Sequence, residues 1–273
     1  MVTNMFELYD EDFDAMELVE GALLLNRAIN PKTRVEWAES ELKRLLQEAE
    51  LALISELNEK RRFKALLRLF FFDWGFGGDR EHYFDSKNGF IDKVLESRRG
   101  VPVSLGAIFL YLARRLGFPV KAVAFPTQFL LKLEWYNEKP VYIDPFNGDY
   151  VSEHTLRGWL IGHKGPFAKL NSDDLSDADN PTIIGRWLAL LKGALLREED
   201  FALALKCTDL ALMFVPDDPY EIRDRGYIYQ RLDCHQVAAS DFQYFVEQCP
   251  DDPAIELLKN QINIMNETQI ILH

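Results

Sequence analysis

The chain has 273 residues, 48% of them hydrophobic, and its 31 basic against 44 acidic residues leave a net charge of −13. That length and composition suffice for one good core and a second, smaller unit. The charge argues against a nucleic-acid backbone or an anionic membrane surface as the main partner, since both select clustered Lys and Arg, and no uncharged apolar run approaches the roughly 20 residues of a membrane span.

The opening stretch, MVTNMFELYDEDFDAMELVEG, is acidic and has no basic region ahead of an apolar run. It does not read as a signal peptide, and a cytoplasmic protein is expected. A first amphipathic helix is expected over 12–30, with Ala15, Leu18, Val19, Ala22 and Leu25 at helical spacing, and Pro31 ends it. A second follows over 35–50 on Trp37, Leu42, Leu45 and Leu46. A third, over 58–72, ends in Leu69, Phe70, Phe71 and Phe72, a cluster that reads as core packing. The long loop 73–89 carries Gly75, Gly77, Gly78, His82, Tyr83 and Phe84. A loop of this length is functional or packs as a compact cover; its glycines neither follow a strand nor open a helix, which argues against a phosphate-binding loop, and His82 reads as a surface or packing residue. A short helix over 90–97 delivers Arg98, Arg99 and Gly100 to the next element.

Residues 98–147 organise the rest. From Val103 to Tyr111 the only side chains that are not apolar belong to Ser104 and Gly106, and no charge appears before Arg114. A helix apolar on every face is a buried, central one. Pro102 suits its first position, and Gly117 with Pro119 stops it. Apolar or alternating runs over 120–125, 129–135 and 141–143 then read as consecutive strands. The order is a buried helix with Ser104 in its first turn, a strand entered through Gln128, and a strand ending in Asp144.

After a turn at 147–150, a helix over 152–161 has Ser152 as its cap. The acidic run NSDDLSDADN, 171–180, reads as a linker. Beyond it Pro216, Asp218 and Pro219 recur 34 residues later as Pro250, Asp252 and Pro253, and Ala204 recurs as Ala238. A period of 34 is that of the tetratricopeptide repeat, two antiparallel helices per unit. Gly226 and Tyr229 occupy that motif's Gly and aromatic positions, where the first copy has Lys192 and Leu195. The cysteines, Cys207, Cys234 and Cys249, are neither a disulfide framework nor a zinc site, and none precedes residue 207.

The run YFDSKNGFIDKVLESRRGVPVSLGAIFLYLARRLGFPV, followed by VYIDPFNG, resembles the transglutaminase-like domain of a bacterial regulator-like family, the Sir B family associated with invasion-gene regulation. Members of that family carry tetratricopeptide repeats after the domain, and both parts stand here in that order. The resemblance implies an α+β fold. A transglutaminase-like (papain-like) domain, mostly helical at its N-terminal part and with a small antiparallel sheet, spans 1–170. A linker covers 171–182 and an all-α repeat region covers 183–273. In the wider superfamily a nucleophilic Cys, a His base and an orienting Asp stand at the positions that match Ser104, Gln128 and Asp144. Some relatives keep the His, as GHFL, where this chain has TQFL.

Those identities matter chemically. A serine hydroxyl needs a base within hydrogen-bond reach, and a Gln amide cannot take up a proton. Nothing in the sequence places His154 or His163 beside Ser104. The first reading is therefore a buried polar cluster of Arg99, Ser104, Gln128 and Asp144 inside a non-catalytic regulatory or interaction protein, whose repeats bind a protein or peptide partner. The residues Asp217, Asp218, Glu221, Asp224, Asp251 and Asp252 would favour a basic segment or form a solvated face. The second is a serine-dependent hydrolase or acyl-transfer enzyme acting on a protein or peptide through Ser104, and a third makes the cluster a binding pocket for a small ligand or peptide end. None of these readings requires a metal ion or cofactor, and none involves nucleic acid or membrane.

Overall fold

The computed structural model describes residues 10–270, with side chains for 13–267; the expectation about the N-terminal stretch falls partly on residues 1–9, outside those described. Two compact units divide between Trp187 and Leu188.

The first unit opens with α1 (Asp10–Ala15), α2 (Leu18–Ile29), α3 (Val35–Leu53) and α4 (Glu59–Arg68). The single helix expected over 12–30 is thus two. The backbone is extended at Glu17, whose N–H donates to the Glu20 carboxylate at 3.3 Å and starts α2 afresh. The helix expected to end at Phe72 gives way at Leu69 to a five-residue π-helical turn, Leu69–Asp73. Aromatic packing holds this wider turn: Phe70 stacks on Phe76 at 4.3 Å and meets Phe109 edge-on at 5.3 Å. Phe70 is fully buried, whereas Phe72 is 78% exposed.

Next come β1 (Gly77–Gly78), a 3-10 turn (Ser86–Gly89), α5 (Ile91–Ser97), β2 (Arg99–Gly100) and α6 (Pro102–Arg115). β1 and β2 form a two-residue parallel pair, too short for any alternation to announce it. α6 is the buried central helix, with every residue from Pro102 to Ala113 buried. Gly117, at φ +82°, follows its end.

The strands β3 (Val120–Ala124), β4 (Phe129–Leu133), β5 (Val141–Asp144) and β6 (Asp149–Val151) form an antiparallel meander in chain order. Register pairs Val123 with Leu130 and Leu131 with Ile143. Alternation assigns the faces. Phe129 points at α6, where a Cβ on Gly106 would stand 2.3 Å from its ring. Val123, Leu130 and Tyr142 point the other way, into a core with Leu156 and Leu160 of α7 (Glu153–Lys164). Helices cover both faces of the sheet, which is why β4 is buried throughout.

The stretch expected to be a linker, 171–182, is tied to this sheet. Ala178 N–H donates to Ala122 O at 2.9 Å, and Asp177 pairs with both Lys121 and Lys132. These contacts occupy the open edge of β3. α8 (Asn180–Arg197) then begins with Asn180 Nδ2 donating to Phe13 O and Met16 O at 2.8 and 2.9 Å.

A second carboxylate in this unit has a measurable signature. Hydrogen bonds from Arg44, resisted by burial and reinforced by Arg98, pull the Glu41 carboxyl down to about 2. Its folded value lies below its unfolded one, so its contribution to stability is present above the usual carboxylate range and is lost as pH falls toward about 2. A carboxyl-carbon NMR titration is expected to show this depressed midpoint, and Arg98→Ala to move it upward.

The second unit contains the rest of α8 with α9 (Phe201–Phe214), α10 (Pro219–Arg231), α11 (His235–Gln248) and α12 (Ile255–Ile270). Within it the 34-residue frame has physical causes. Asp218 and Asp252 play the same part, accepting from Tyr220 N–H at 2.9 Å and Ala254 N–H at 2.8 Å. A Cβ on Gly226 would lie 2.7 Å from the Phe242 ring, so glycine is what lets α10 and α11 approach. Ala204 and Ala238 are fully buried. Lys192, one period before Gly226, is 7% exposed and donates to Glu221 and Asp224, each at 2.7 Å. Four of the six acidic residues expected to attract a basic segment have partners inside the unit: Asp218 caps α10, Asp252 holds the turn ahead of α12, and Glu221 and Asp224 neutralise Lys192. Cys207 is 1% exposed, and burial pushes its thiol up to about 12, so packing rather than chemistry accounts for it.

Candidate functional site

The site is built where three segments converge on the first turns of α6. α5 ends with Arg98 in the left-handed region at φ 60°, and the chain crosses β2 into Val101, the extended residue before Pro102. Gly106, two residues beyond Ser104, receives both Phe129, next to Gln128, and Pro145, next to Asp144: its Cβ would lie 2.3 Å from the first and 3.2 Å from the second.

Ser104 is wholly buried and its hydroxyl is committed to backbone. Oγ accepts from Val101 N–H at 3.1 Å and donates to Asn88 O at 2.7 Å. The first contact is the reach-back half of a capping box, satisfying a donor that the helix leaves free. The second pins the long loop, whose own bonds run from Asn88 Nδ2 to His82 O at 2.6 Å and from His82 N–H to Asp79 Oδ1 at 2.9 Å. The fit is close: a Cβ on Gly100 would lie 2.7 Å from Ser104 Oγ.

Gln128 and Asp144 form a separate pair. Burial pushes the Asp144 carboxyl above its ordinary value, while the Phe146 N–H, at 2.9 Å, and the Gln128 amide pull it back. The amide acts on the carboxyl without closing a well-directed bond, because Gln128 Nε2 is buried and lacks a partner of good geometry. Tyr83, from the loop, completes this corner; burial and the Asp144 charge raise its phenol, and its ring lies 5.9 Å from that of Phe146. The sequence names Tyr83 but not its neighbour, since that depends on the path of an irregular loop.

Arg99 does not belong to the cluster. Its guanidinium is exposed and donates to Gly75 O at 2.6 Å and Arg98 O at 3.1 Å, closing the mouth of the loop instead of reaching Asp144. His82 is a surface residue, 3.7 Å from Asp79. His163 lines a shallow cleft of about 490 Å³ together with Thr127, Gln128, Gly158, Trp159 and Gly162; Ser104 does not line it. Among the described residues no His, Cys, Asp and Glu group is arranged to hold a metal ion.

The two glycines of this cleft sit inside α7, and a Cβ at either would meet nothing within 4 Å. Glycine costs a helix interior about 1 kcal/mol relative to alanine. Gly158→Ala and Gly162→Ala are therefore expected each to stabilise the first unit by about 0.5–1 kcal/mol, read as a higher urea midpoint with an unchanged slope.

A helix-first unit whose four-stranded sheet packs on a buried central helix, followed by paired helices of period 34, defines a transglutaminase-like domain carrying tetratricopeptide repeats. Comparison agrees: the transglutaminase-like superfamily matches residues 36–189 and the tetratricopeptide repeat matches residues 191–263. The chain is 67% identical to a UPF0162 protein of Vibrio cholerae over 98% of its own length and all of that protein's. It is 42% identical, with the same coverage, to the protein SirB1 of Salmonella typhimurium and to the UPF0162 protein YchA of Escherichia coli. No solved structure matches. The chain belongs to the bacterial SirB1/UPF0162 family.

Proposed function

We propose that this chain is a non-catalytic regulatory or protein-interaction protein, in which a degenerate transglutaminase-like domain serves as scaffold and the repeats contribute a surface for a protein or peptide partner. The repeat match and the SirB1 relatives fit that role. The observation that carries it is the state of Ser104. A nucleophile must present a free oxygen to substrate and give its proton to a base. Here Oγ is fully buried, has Asn88 O at 2.7 Å and Val101 O at 3.1 Å as acceptors for its proton, and itself accepts from Val101 N–H. Gln128 cannot act as the base. Among the described residues no helix is long and apolar enough to cross a membrane, and a cytoplasmic location is part of the proposal.

A fluorophosphonate probe tests it. The intact protein is expected to remain unlabelled, and labelling that disappears in Ser104→Ala would establish the serine enzyme instead. Ser104→Ala is expected to cost about 1–3 kcal/mol in denaturant unfolding, because it orphans Val101 N–H and Asn88 O in the core.

A further inference from the structure

We propose that the hollow between α2, α3 and α6 is a binding site for a small primary ammonium compound with an apolar chain. The site lies in the first unit, uses neither Ser104 nor the repeats, and goes beyond the reading given above.

The hollow has a volume of about 330 Å³, near the lower end of the range for small-molecule sites. Buried Leu23 of α2 and Leu42 of α3 give it an aliphatic floor, which Leu24 extends. Such a floor takes an alkyl group; polar groups must orient it. They come from three helices: the Glu20 carboxylate from α2, the Glu39 carboxylate from α3 and the Tyr111 phenol from α6. Tyr111 is the observation that points to a ligand. It is 6% exposed and Arg115 lies over its ring at 5.4 Å, yet among the described residues its hydroxyl has no hydrogen-bond partner. A phenol buried to this degree ordinarily has one. Burial above all raises its phenol, Arg115 opposes the rise, and the charges of Glu20, Glu17 and Glu39 add to it, so three carboxylates lie within Coulombic reach of that oxygen.

The two lining carboxylates differ in what they already hold. Glu20 is engaged, with Oε2 accepting from Glu17 N–H at 3.3 Å and Oε1 at 3.6 Å from Arg115. Glu39 forms no ion pair among the described residues, even with Lys43 one turn along α3. The acceptors with capacity to spare are therefore the Glu39 carboxylate and the Tyr111 oxygen, with Glu20 adding negative charge. An ammonium group carries three N–H donors and no acceptor, which matches them. A quaternary ammonium would leave both oxygens unpaired, and the aromatic face it would seek already carries Arg115. Lys43, on the same hollow, gives a carboxylate a place if the ammonium compound is an amino acid.

The probe is 3-methylbutylamine, titrated into the full chain while the methyl signals of Leu23 and Leu42 and the ring signals of Tyr111 are followed by NMR. Three compounds with the same branched chain are run beside it: L-leucine, 4-methylpentanoate and the N,N,N-trimethyl derivative of the amine. The amine is expected to shift both sets of signals, to half-saturate at or below about 1 mM, and to bind more weakly as salt is raised. The carboxylate and the quaternary compound should bind at least about tenfold more weakly. Leucine binding more tightly than the amine would make the ligand an amino acid held also by Lys43, and weaker binding a plain amine; both uphold the proposal. Tyr111→Phe keeps the ring beneath Arg115 and removes an oxygen that holds no protein group, so it should weaken amine binding about tenfold with thermal melting unchanged. Glu39→Gln, at an exposed position, should weaken it about threefold. The proposal is overturned if the amine moves neither set of signals at about 5 mM, if 4-methylpentanoate or the quaternary compound binds as tightly, or if both variants bind as the parent does. None of these outcomes depends on the reactivity of Ser104, so failure here leaves the scaffold reading standing, and failure there leaves this site standing.

Discussion

Trp187→Ala is expected to destabilise the first unit by about 3–5 kcal/mol, the largest effect of any single truncation considered in this chain. Trp187 is 1% exposed and its indole N–H donates to Gly89 O at 2.8 Å. The same carbonyl receives Asn26 Nδ2 at 3.2 Å, so removing the indole leaves it paired and adds no full desolvation penalty. The cost comes from the cavity. Trp187→Phe should lose the hydrogen bond and little of the buried area, and cost only about 1–2 kcal/mol. Because the chain has two units, unfolding should be followed by a probe local to the first, and a single global midpoint would mislead. Amide hydrogen exchange at Ile91 is suitable: its N–H donates to Asn26 Oδ1 at 2.8 Å and should lose protection in the alanine variant. The effect should reach the candidate site, because Gly89 adjoins Asn88, the residue whose carbonyl holds Ser104. Asn26, Trp187 and Ser104, distant in sequence, all fasten the segment from Asn88 to Ile91.

That segment marks where sequence stops being informative. The central helix is legible because charge is absent from every face of 103–111, a pattern that only burial on all sides tolerates. The strands are legible as short, mostly apolar runs between turn residues, the pattern of a sheet covered on both faces, as in Phe129–Leu133. Ser104, Gln128 and Asp144 are legible as positions. What they do is not, because the partner of Ser104 is the carbonyl of Asn88, and a carbonyl carries no residue identity to read. Arg99 shows the converse: a charged residue at the right place in the motif turns outward to Gly75 O, since the parallel pair of β1 with β2 fixes the backbone there. The acidic run 171–180 has the composition of a linker, yet Asp177 finds Lys121 and Lys132, whose adjacency depends on the register of β3 with β4. Trp187 falls within the repeat frame counted back from Pro219. Its packing belongs to the first unit, because one helix, α8, supplies residues to both.

Lys192 is the residue whose departure from the repeat pattern turns out to have its own logic, and its replacement is expected to have the second largest effect. Burial works against its charge, but hydrogen bonds to Asp224 and Glu221 outweigh that and hold its pKa above the ordinary lysine value. Lys192→Met keeps the aliphatic bulk and removes the charge, leaving two half-buried carboxylates to face each other. Breaking a fully buried pair costs about 3–5 kcal/mol; here the carboxylates keep 21% and 28% side-chain exposure, so about 2–3 kcal/mol is expected. Asp224 retains Arg223 at 2.9 Å, which makes Glu221 the unsupported partner. Adding Glu221→Met to Lys192→Met should therefore recover most of the loss, since an apolar pair of similar volume replaces an ion pair at little net cost. A double-mutant cycle on the second unit's denaturant transition reads this directly, and simple additivity of the two losses would contradict it. The pH dependence has a definite sign. With the folded pKa above the unfolded one, the lysine's contribution is complete below the ordinary lysine range and declines as pH rises through the raised value, so the parent should lose stability on alkaline titration by an amount that Lys192→Met does not show.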